Sequence, residues 1–286
     1  MKKSYIYTAE LNLAVLLFGG AGLFGKLLDY PAVIIVLSRV VFSALTLYLF
    51  AKIRNKSLRF NRKKSYLWVF ITAILLSLHW ISFFQSVKLS TVAIALFSFS
   101  TFPVFISLVE PLVFGLRFSF KELIAAIIAL VGIYILIPSF NFSSLNFKGV
   151  IVGIISGLLF ALLSIVNKIQ VKNESSFLIA FYQHLFSIPI LLPSVFLLKG
   201  VPTSTDFLYF FLLGAIFTAM AHLLFIDSLV KFKAFISGIF ATLEPVYGAF
   251  FAFLILKEIP SVKTIIGGFI VLCASLYAII FSEKGG

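Results

Sequence analysis

The stretch GIFATLEPVYGAFFAFLILKE, residues 238–258, carries an ionisable Glu244 followed by Pro245 inside an otherwise apolar run. Pro245 has no N–H, and in a helix its ring displaces the carbonyl of Ala241, four residues earlier. Pro103 has the same effect on the carbonyl of Phe99. A carboxylate beside such an interruption could exchange a proton, neutralise an amino group of a bound molecule, or bond a neighbouring helix as part of the architecture. The residues alone leave these three interpretations open.

Other chemistry-bearing side chains recur at helical spacing inside apolar runs. His79 is followed by Trp80 and Phe83, and His222 lies four residues after Thr218. Each histidine could titrate or could be a hydrogen-bonded packing residue. The sequence contains no HExxH, no GxSxG and no Gly-rich phosphate loop, and its single Cys273 offers no thiolate cluster. We therefore predict that the chain is not an enzyme and has neither a cofactor nor a metal site.

The composition requires a lipid environment for these residues. Hydrophobic residues make up 62% of the 286, only 12% are charged, and the mean hydropathy is +1.16. A helix needs about 20 mainly apolar residues to cross the hydrocarbon core. The chain supplies ten such runs, with approximate limits Thr8–Leu28, Pro31–Ala51, Tyr66–Lys88, Thr91–Gly115, Lys121–Pro138, Lys148–Lys168, Ser175–Leu198, Phe207–Leu229, Phe232–Leu256 and Val262–Phe281. The fold class predicted is an all-α integral membrane protein with ten transmembrane helices. The basic, then apolar start imitates a signal peptide but has no A-x-A site, so we expect it to be retained as the first span.

The net charge of +13 is informative through its distribution over the connections between the spans. If the N-terminus is cytoplasmic, sixteen of the 23 Lys and Arg residues fall on the cytoplasmic side, six fall on the other side, and Arg39 lies within the second span. Seven of the sixteen lie between Lys52 and Lys64. This asymmetry predicts an inner-membrane protein with both termini in the cytoplasm, whose basic loop faces anionic headgroups and not nucleic acid.

The two halves of the chain resemble each other when the sequence is shifted by 142 residues. Phe18 then falls on Phe160, Lys26 on Lys168, and Pro103 on Pro245. Each half holds five predicted spans, and because five is odd, the second half must enter the membrane from the opposite side. The sequence thus predicts an inverted repeat, residues 1–140 and 141–286, which together form one transporter domain that can open alternately to the two sides.

These features resemble the drug/metabolite transporter superfamily, EamA type. The similarity rests on two five-span halves, each with a Pro-containing fourth span, and on LEPVYGAFFAFLILKE with its Glu-Pro pair and its L-x-E before a turn. The first half departs from that pattern, because Leu116 stands where the family usually has Glu. The resemblance implies the fold and a role as an exporter of amino acids, drugs or other metabolites. It also implies a peripheral second span, so we expect Arg39 to lie outside the pocket.

We predict a substrate pocket near mid-membrane, at the positions where polar and aromatic residues share a helix face. The predicted substrate-binding residues are Trp80, Phe83, Ser98, Thr101, Phe102, Asn167, His222, Thr242, Glu244 and Tyr247. The predicted hinges or helix breaks are Pro103 and Pro245, and the candidate gate or coupling residues are His79, Lys26, Lys168 and Glu110.

The function predicted is that of a secondary active or facilitative transporter, which exports a small amphipathic organic solute by alternating access. Aromatic walls with few polar groups suit an amino acid or an apolar metabolite, and a proton is a candidate coupling ion. The alternative is a channel-like or sensory membrane protein without active transport. We expect the partners to be the solute and the bilayer, with the protein as a monomer or a homodimer.

Overall fold

The computed structural model describes residues 2–115, 120–136, 143–198, 200–231, 240–241 and 243–282. Within these ranges every regular element is a helix. This agrees with the predicted class, since a chain that crosses lipid satisfies its backbone polar groups most simply inside helices.

The helices of the first half range from 4 to 27 residues in length. In chain order they are α1 (Lys2–Ala21), α2 (Phe24–Leu27), α3 (Ala32–Ile53), α4 (Lys63–Leu89), α5 (Val92–Phe99), α6 (Phe102–Phe114) and α7 (Phe120–Leu136).

The second half contains helices with local changes of winding. They are α8 (Leu145–Gln170), α9 (Ser176–Leu191), α10 (Ser204–Phe211), α11 (Ala221–Lys231), α12 (Glu244–Phe251) and α13 (Val262–Ser282). A 3₁₀ turn, Leu192–Leu197, extends α9; a π-helical stretch, Leu212–Met220, joins α10 to α11; and a π-helical turn, Ala252–Leu256, extends α12.

Among the described residues, seven helical segments are long and apolar enough to cross a membrane. Three shorter apolar helices, Leu123–Ile135, Glu244–Leu256 and Val262–Tyr277, lie where the fifth, ninth and tenth spans are predicted. The chain is therefore a multi-pass helical membrane protein, and the count of ten spans stays a prediction.

The fourth predicted span is broken, and the break lies beside Pro103. Helix α5 ends at Phe99 and α6 begins at Phe102, with Pro103 in its first turn, where a missing N–H costs no helical hydrogen bond. The carbonyl of Ser100 accepts a hydrogen bond of 2.6 Å from the hydroxyl of Ser275 on α13. In the ninth predicted span Pro245 likewise lies in the first turn of α12. Both prolines thus start a helix after an interruption.

Glycines allow two helices to meet without side chains between them. A Cβ on Gly19 of α1 would lie 2.8 Å from the carbonyl oxygen of Glu244 and 2.9 Å from the amide nitrogen of Gly248. A Cβ on Gly248 would in turn lie 3.0 Å from the carbonyl oxygen of Gly19. The helix that carries Glu244 is therefore in backbone contact with α1.

Charged side chains tie the helices at both ends of the bundle. We call the end that carries the loop between α3 and α4, with Lys52–Lys64, the basic end. There Lys168 of α8 forms an ion pair with Glu110 of α6. At the opposite end Lys26 donates to the carbonyl of Ser90 at 2.6 Å and Lys88 donates to that of Leu28 at 3.1 Å. Each of these two lysines thereby caps the C-terminus of the other's helix.

The L-x-E motif also acts at a helix end. One carboxylate oxygen of Glu258, in the turn before α13, accepts a hydrogen bond of 2.9 Å from the backbone N–H of Val92, the first residue of α5. A carboxylate at this position satisfies a free N–H and interacts favourably with the helix dipole. The same residue thus connects the ninth and tenth predicted spans to the start of the broken fourth span.

Candidate functional site

A small cavity lies in the middle of the bundle, where several helices meet. Its volume is about 30 Å³, which leaves room for about two water molecules. It is lined by Phe18, Ala21, Arg39, Leu76, His79, Trp80, Phe83, Phe99, Phe160, His222 and Glu244. The cavity thus combines aromatic walls with one cationic and one anionic side chain.

Arg39 supplies the positive charge of the cavity. The residue is only 2% exposed, its guanidinium carbon lies 3.8 Å from the centroid of the Trp80 ring, and its Nε donates to the hydroxyl of Thr218 at 2.6 Å. The Nη atoms donate to no residue in the part of the chain that the structure describes. Because a guanidinium offers five N–H donors, four remain for a bound group. The expectation that Arg39 lies outside the pocket is wrong.

The position of Arg39 follows from the packing of α3 against the π-helical stretch. A Cβ on Gly214 would lie 2.4 Å from Cβ of Phe42 and 2.9 Å from the carbonyl oxygen of Arg39, so the backbones are close. Thr218 donates its own hydroxyl proton to the carbonyl of Leu213 at 2.6 Å, which leaves the oxygen free to accept from Arg39. A charged side chain within a membrane helix faces the protein interior and not lipid, and this contact holds it there.

Glu244 supplies the acidic group of the cavity. It begins α12, next to the backbone contact with Gly19, and it interacts electrostatically with Arg39. Both residues are described, yet no direct ion pair joins them, and the carboxylate accepts no hydrogen bond from a described residue. The cavity therefore holds a guanidinium and a carboxyl group whose bonding atoms are available to a third partner.

Aromatic rings form one wall of the cavity. Phe99 stacks on Phe102 with centroids 5.1 Å apart, and Phe160 meets both rings edge to face at 5.3 and 5.0 Å. The ring of His79 contacts both Phe99 and Phe160, with centroids 5.2 and 5.0 Å away. Offset and edge-to-face arrangements of this kind are the favourable ones. The wall suits the apolar part of a ligand.

His79 is held in one tautomer by Ser156. Its Nδ1 lies 3.0 Å from the carbonyl oxygen and 2.8 Å from the hydroxyl oxygen of Ser156, and that hydroxyl donates to the carbonyl of His79. A carbonyl oxygen only accepts, so Nδ1 carries the proton and Nε2 is the acceptor. His79 therefore faces the cavity as a fixed acceptor.

A second histidine network reaches the cavity from its other side. The hydroxyl of Ser43 lies 2.6 Å from Nδ1 of His184, and Nε2 of His184 lies 2.9 Å from Nδ1 of His222. When both rings are neutral, one of these two nitrogens carries the proton and the other accepts it in a hydrogen bond. Trp80 packs on His184 and His222, at 5.6 and 5.8 Å between centroids. The network fixes the ring of His222, which lines the cavity.

The predicted substrate-binding residues fall into two groups in the structure. Trp80, Phe83, His222 and Glu244 line the cavity, and Phe102 supports its wall. Ser98, Thr101, Asn167 and Tyr247 pack nearby or elsewhere in the bundle, and Thr242 lies outside the described residues.

Three residues of the second group have specific partners. The hydroxyl of Thr101 donates to the carbonyl of Ser98 at 2.8 Å, Asn167 accepts from the side chain of Gln183 at 2.7 Å, and Tyr247 donates to Asn12 at 2.7 Å. The hydroxyl of Ser98 is buried and has no partner among the described residues. The contacts of Asn167 and Tyr247 join separate helices, whereas that of Thr101 is local to the break between α5 and α6, and none of these residues lines the cavity.

The sequence reasoning missed several lining residues. Phe18, Leu76, Phe99 and Phe160 carried no polar signal, since apolar residues of this kind also cover the lipid-facing surface. Arg39 was visible as the deepest cation, and its depth was the signal that could have placed it in the pocket. Among the candidate gate residues, His79 lines the cavity, whereas Lys26, Lys168 and Glu110 lie at the bundle ends.

Comparisons with known proteins agree with this architecture. The sequence model of the EamA-like transporter family matches residues 11–137 and again 147–280. Two proteins of Archaeoglobus fulgidus, each described as an uncharacterized transporter, are 27% and 29% identical to the chain over 197 residues. These matches cover 68% and 69% of this chain, and 69% and 70% of the relatives.

A solved structure, described as "Crystal structure of protein", superposes on almost the whole chain. The TM-score is 0.68, the sequence identity is 16%, and the match covers 97% of each chain. At this identity the likeness concerns the fold alone.

Proposed function

Because the chain belongs to the EamA-like transporter family, we propose that it moves a small zwitterionic solute, an amino acid with an apolar side chain, across the membrane. The proposal rests on one observation: Arg39 and Glu244 face the same aromatic cavity with bonding atoms that no described residue occupies. A solute carboxylate would bind the guanidinium through two parallel hydrogen bonds, and a solute ammonium would bind Glu244.

The aromatic rings complete this recognition. Trp80, Phe83, Phe99 and Phe160 offer an apolar surface for a side chain, and ring faces also attract an ammonium group. A polyanion would meet Glu244 as a like charge and would find one cation, Arg39, in the cavity. The balance of one charge of each sign therefore favours a zwitterion over a nucleotide or a sugar phosphate.

The experiment that tests this function is a thermal-shift screen of the purified protein. We expect leucine and phenylalanine to raise the melting temperature, since a ligand at 100 times its Kd stabilises the folded state by about 2.7 kcal/mol. The matched controls are the same compounds without the amino group and without the carboxylate, which should stabilise the protein less. Stabilisation by polyanions or cationic drugs and by no zwitterion would overturn the proposal.

Transport by alternating access explains how a solute enters a cavity of this size. The cavity volume of about 30 Å³ is far below the roughly 300 Å³ of typical ligand pockets, so the helices around it must separate to admit a solute. Helix contacts support an exchange between two inverted halves: α4 packs on α8 as α11 packs on α1, and α6 packs on α8 as α12 packs on α1. The interruptions beside Pro103 and Pro245 are the proposed hinges.

The ion pair between Lys168 and Glu110 is the proposed gate at the basic end. Its side chains are 44% and 20% exposed, so the pair contributes at most about 1 kcal/mol, or roughly five-fold in a gating equilibrium. We expect Glu110→Gln to change the turnover in proteoliposomes by no more than this factor. The exchanged pair, Glu110→Lys with Lys168→Glu, should restore the turnover of the natural protein. A double variant that remains as impaired as Glu110→Lys alone would argue against a gate made by this pair.

The distribution of Lys and Arg supports an inner-membrane location with the basic end in the cytoplasm, and export is the direction that we propose. With Cys273 replaced by Ala, a unique cysteine at the exposed Asn61 should react with an impermeant thiol reagent only after cells are opened. Inside-out vesicles, in turn, should accumulate the solute. Labelling of Asn61→Cys in intact cells would reverse the orientation.

A further inference from the structure

A second pocket lies at the basic end, between the start of α4 and the end of α8, apart from the central cavity. Its volume is about 190 Å³. Trp68 and Ile169, on its rim, are 49% and 39% exposed. In a membrane protein such residues face lipid, and tryptophan is typical of the level of the headgroups. The pocket therefore opens where a phospholipid headgroup meets the protein.

Gln170, the last residue of α8, is a buried wall of this pocket with an unused acceptor. Its side chain is 6% exposed, and its Oε1 has no hydrogen-bond partner among the described residues. The amide orientation follows from Thr72, whose hydroxyl donates to the carbonyl of Val69 at 3.0 Å and so accepts from Nε2 of Gln170 at 3.5 Å. A buried acceptor without a partner is costly, and here it calls for a ligand that donates.

Two exposed cations border the same pocket. Arg62 directly precedes α4 and Lys64 lies in its first turn. No side chain caps this helix start, and the backbone N–H groups of Lys63 and Lys64, unlike that of Ser65, donate to no described residue. Basic side chains together with a helix N-terminus form a favourable environment for a phosphate group.

Glu174 adds an anion at the other side of the pocket. Its carboxylate accepts a hydrogen bond from the hydroxyl of Ser65, and it lines the pocket with Asn173. On one side, the pocket thus offers cations that can bind a phosphate. On the other side, the Glu174 carboxylate and the Gln170 side-chain carbonyl can bind a group that carries both N–H donors and a positive charge. We propose that it binds the headgroup of an ethanolamine phospholipid, with the phosphate at Arg62 and Lys64 and the ammonium at Gln170 and Glu174.

The choice of headgroup follows from the charges. A choline headgroup is cationic but has no N–H to give to Gln170. A glycerol headgroup can donate through its hydroxyls, but it carries no cation, so it leaves the carboxylate of Glu174 without an opposite charge. The ethanolamine headgroup satisfies both sides of the pocket. The acyl chains would lie along the apolar surface that begins at Trp68 and Ile169.

Native mass spectrometry of the detergent-purified full chain, titrated with phosphatidylethanolamine, phosphatidylglycerol or phosphatidylcholine, tests this site. We expect phosphatidylethanolamine to bind at least ten-fold more tightly than the other two. Arg62→Gln should weaken the binding of phosphatidylethanolamine and phosphatidylglycerol alike. Glu174→Gln, which keeps an acceptor for Ser65, should weaken only phosphatidylethanolamine. Arg54→Gln, an exposed charge outside the pocket, is the matched control and should change neither.

Four results would overturn the proposal. Equal binding of phosphatidylcholine would indicate general lipid contact, and tighter binding of phosphatidylglycerol would indicate a site for anionic headgroups. Equally effective competition by water-soluble glycerophosphoethanolamine would indicate a site for a free phosphate compound and not for a lipid. Gln170→Met provides a second variant, and an unchanged lipid preference in both Gln170→Met and Glu174→Gln would also contradict the assignment.

Discussion

Replacing Glu244 by Gln is expected to weaken the binding of a zwitterionic solute by about 10- to 150-fold. The change keeps the size of the side chain and removes its charge, so the solute ammonium loses a charge-assisted bond worth about 1.5–3 kcal/mol. The measurement is equilibrium binding of radiolabelled leucine or phenylalanine to the purified variant. The deaminated analogue, which carries only a carboxylate, should bind the variant and the natural protein alike.

Two other outcomes would assign Glu244 a different role. If binding and exchange counterflow persist while accumulation driven by a pH gradient is lost, Glu244 carries a proton and does not hold the ammonium. If binding and gradient response are both unchanged, the carboxylate belongs to the architecture. Asp29→Asn is the matched control, since it neutralises an exposed carboxylate at the bundle end, outside the cavity. It should leave solute affinity unchanged.

Replacing Arg39 by Met is expected to weaken the binding of the same solute by a similar factor, because the solute carboxylate loses its partner. The guanidinium offers two parallel donors to a carboxylate, and neither Met nor Lys can reproduce that geometry. Arg39→Lys should therefore retain part of the affinity and Arg39→Met almost none. The decarboxylated amine should bind the Met variant as well as it binds the natural protein.

Stability needs a separate control, because Arg39 also packs on Trp80 and bonds Thr218. Removing it alone also takes away the positive charge with which Glu244 interacts inside the bundle, so we expect the melting temperature to fall. The double variant Arg39→Met with Glu244→Gln is neutral, so we expect it to melt no lower than Arg39→Met and to bind no zwitterion. Undiminished binding of leucine by a folded Arg39→Met protein would contradict the carboxylate role.

The sequence was sufficient to predict a helical membrane protein, because hydropathy depends on the local run of residues. It also predicted interruptions beside Pro103 and Pro245, since proline restricts its own backbone. Glu244 was singled out because a charge inside an apolar run is costly unless it faces the interior. In all three cases the physical cause lies within one helix.

The errors and omissions concern contacts between helices. The prediction that Arg39 lies outside the pocket rests on its location in the second span of the chain. The actual position of the side chain follows from the close packing of α3 at Gly214. Asn167 was assigned to the pocket for its polarity, yet it bonds Gln183. The pocket at Gln170 gave no sequence signal, since Arg62, Lys64 and Glu174 read separately as solvated charges. Packing between distant segments decides each of these cases, and a single sequence does not encode it in any local pattern.

The backbone contact between Gly19 and Gly248 joins two helices from opposite halves of the chain. The first turns of α12 leave no room for a side chain at Gly19, so the position of Glu244 depends on the position of α1. A larger residue at either glycine has no compensating change at the other, because nothing smaller than glycine exists. We expect descendants of this protein to vary freely in the phenylalanines that face lipid and to inherit these two glycines together. Changes in the transported solute would then arise from substitutions at the other cavity-lining residues, while these two glycines stay the same.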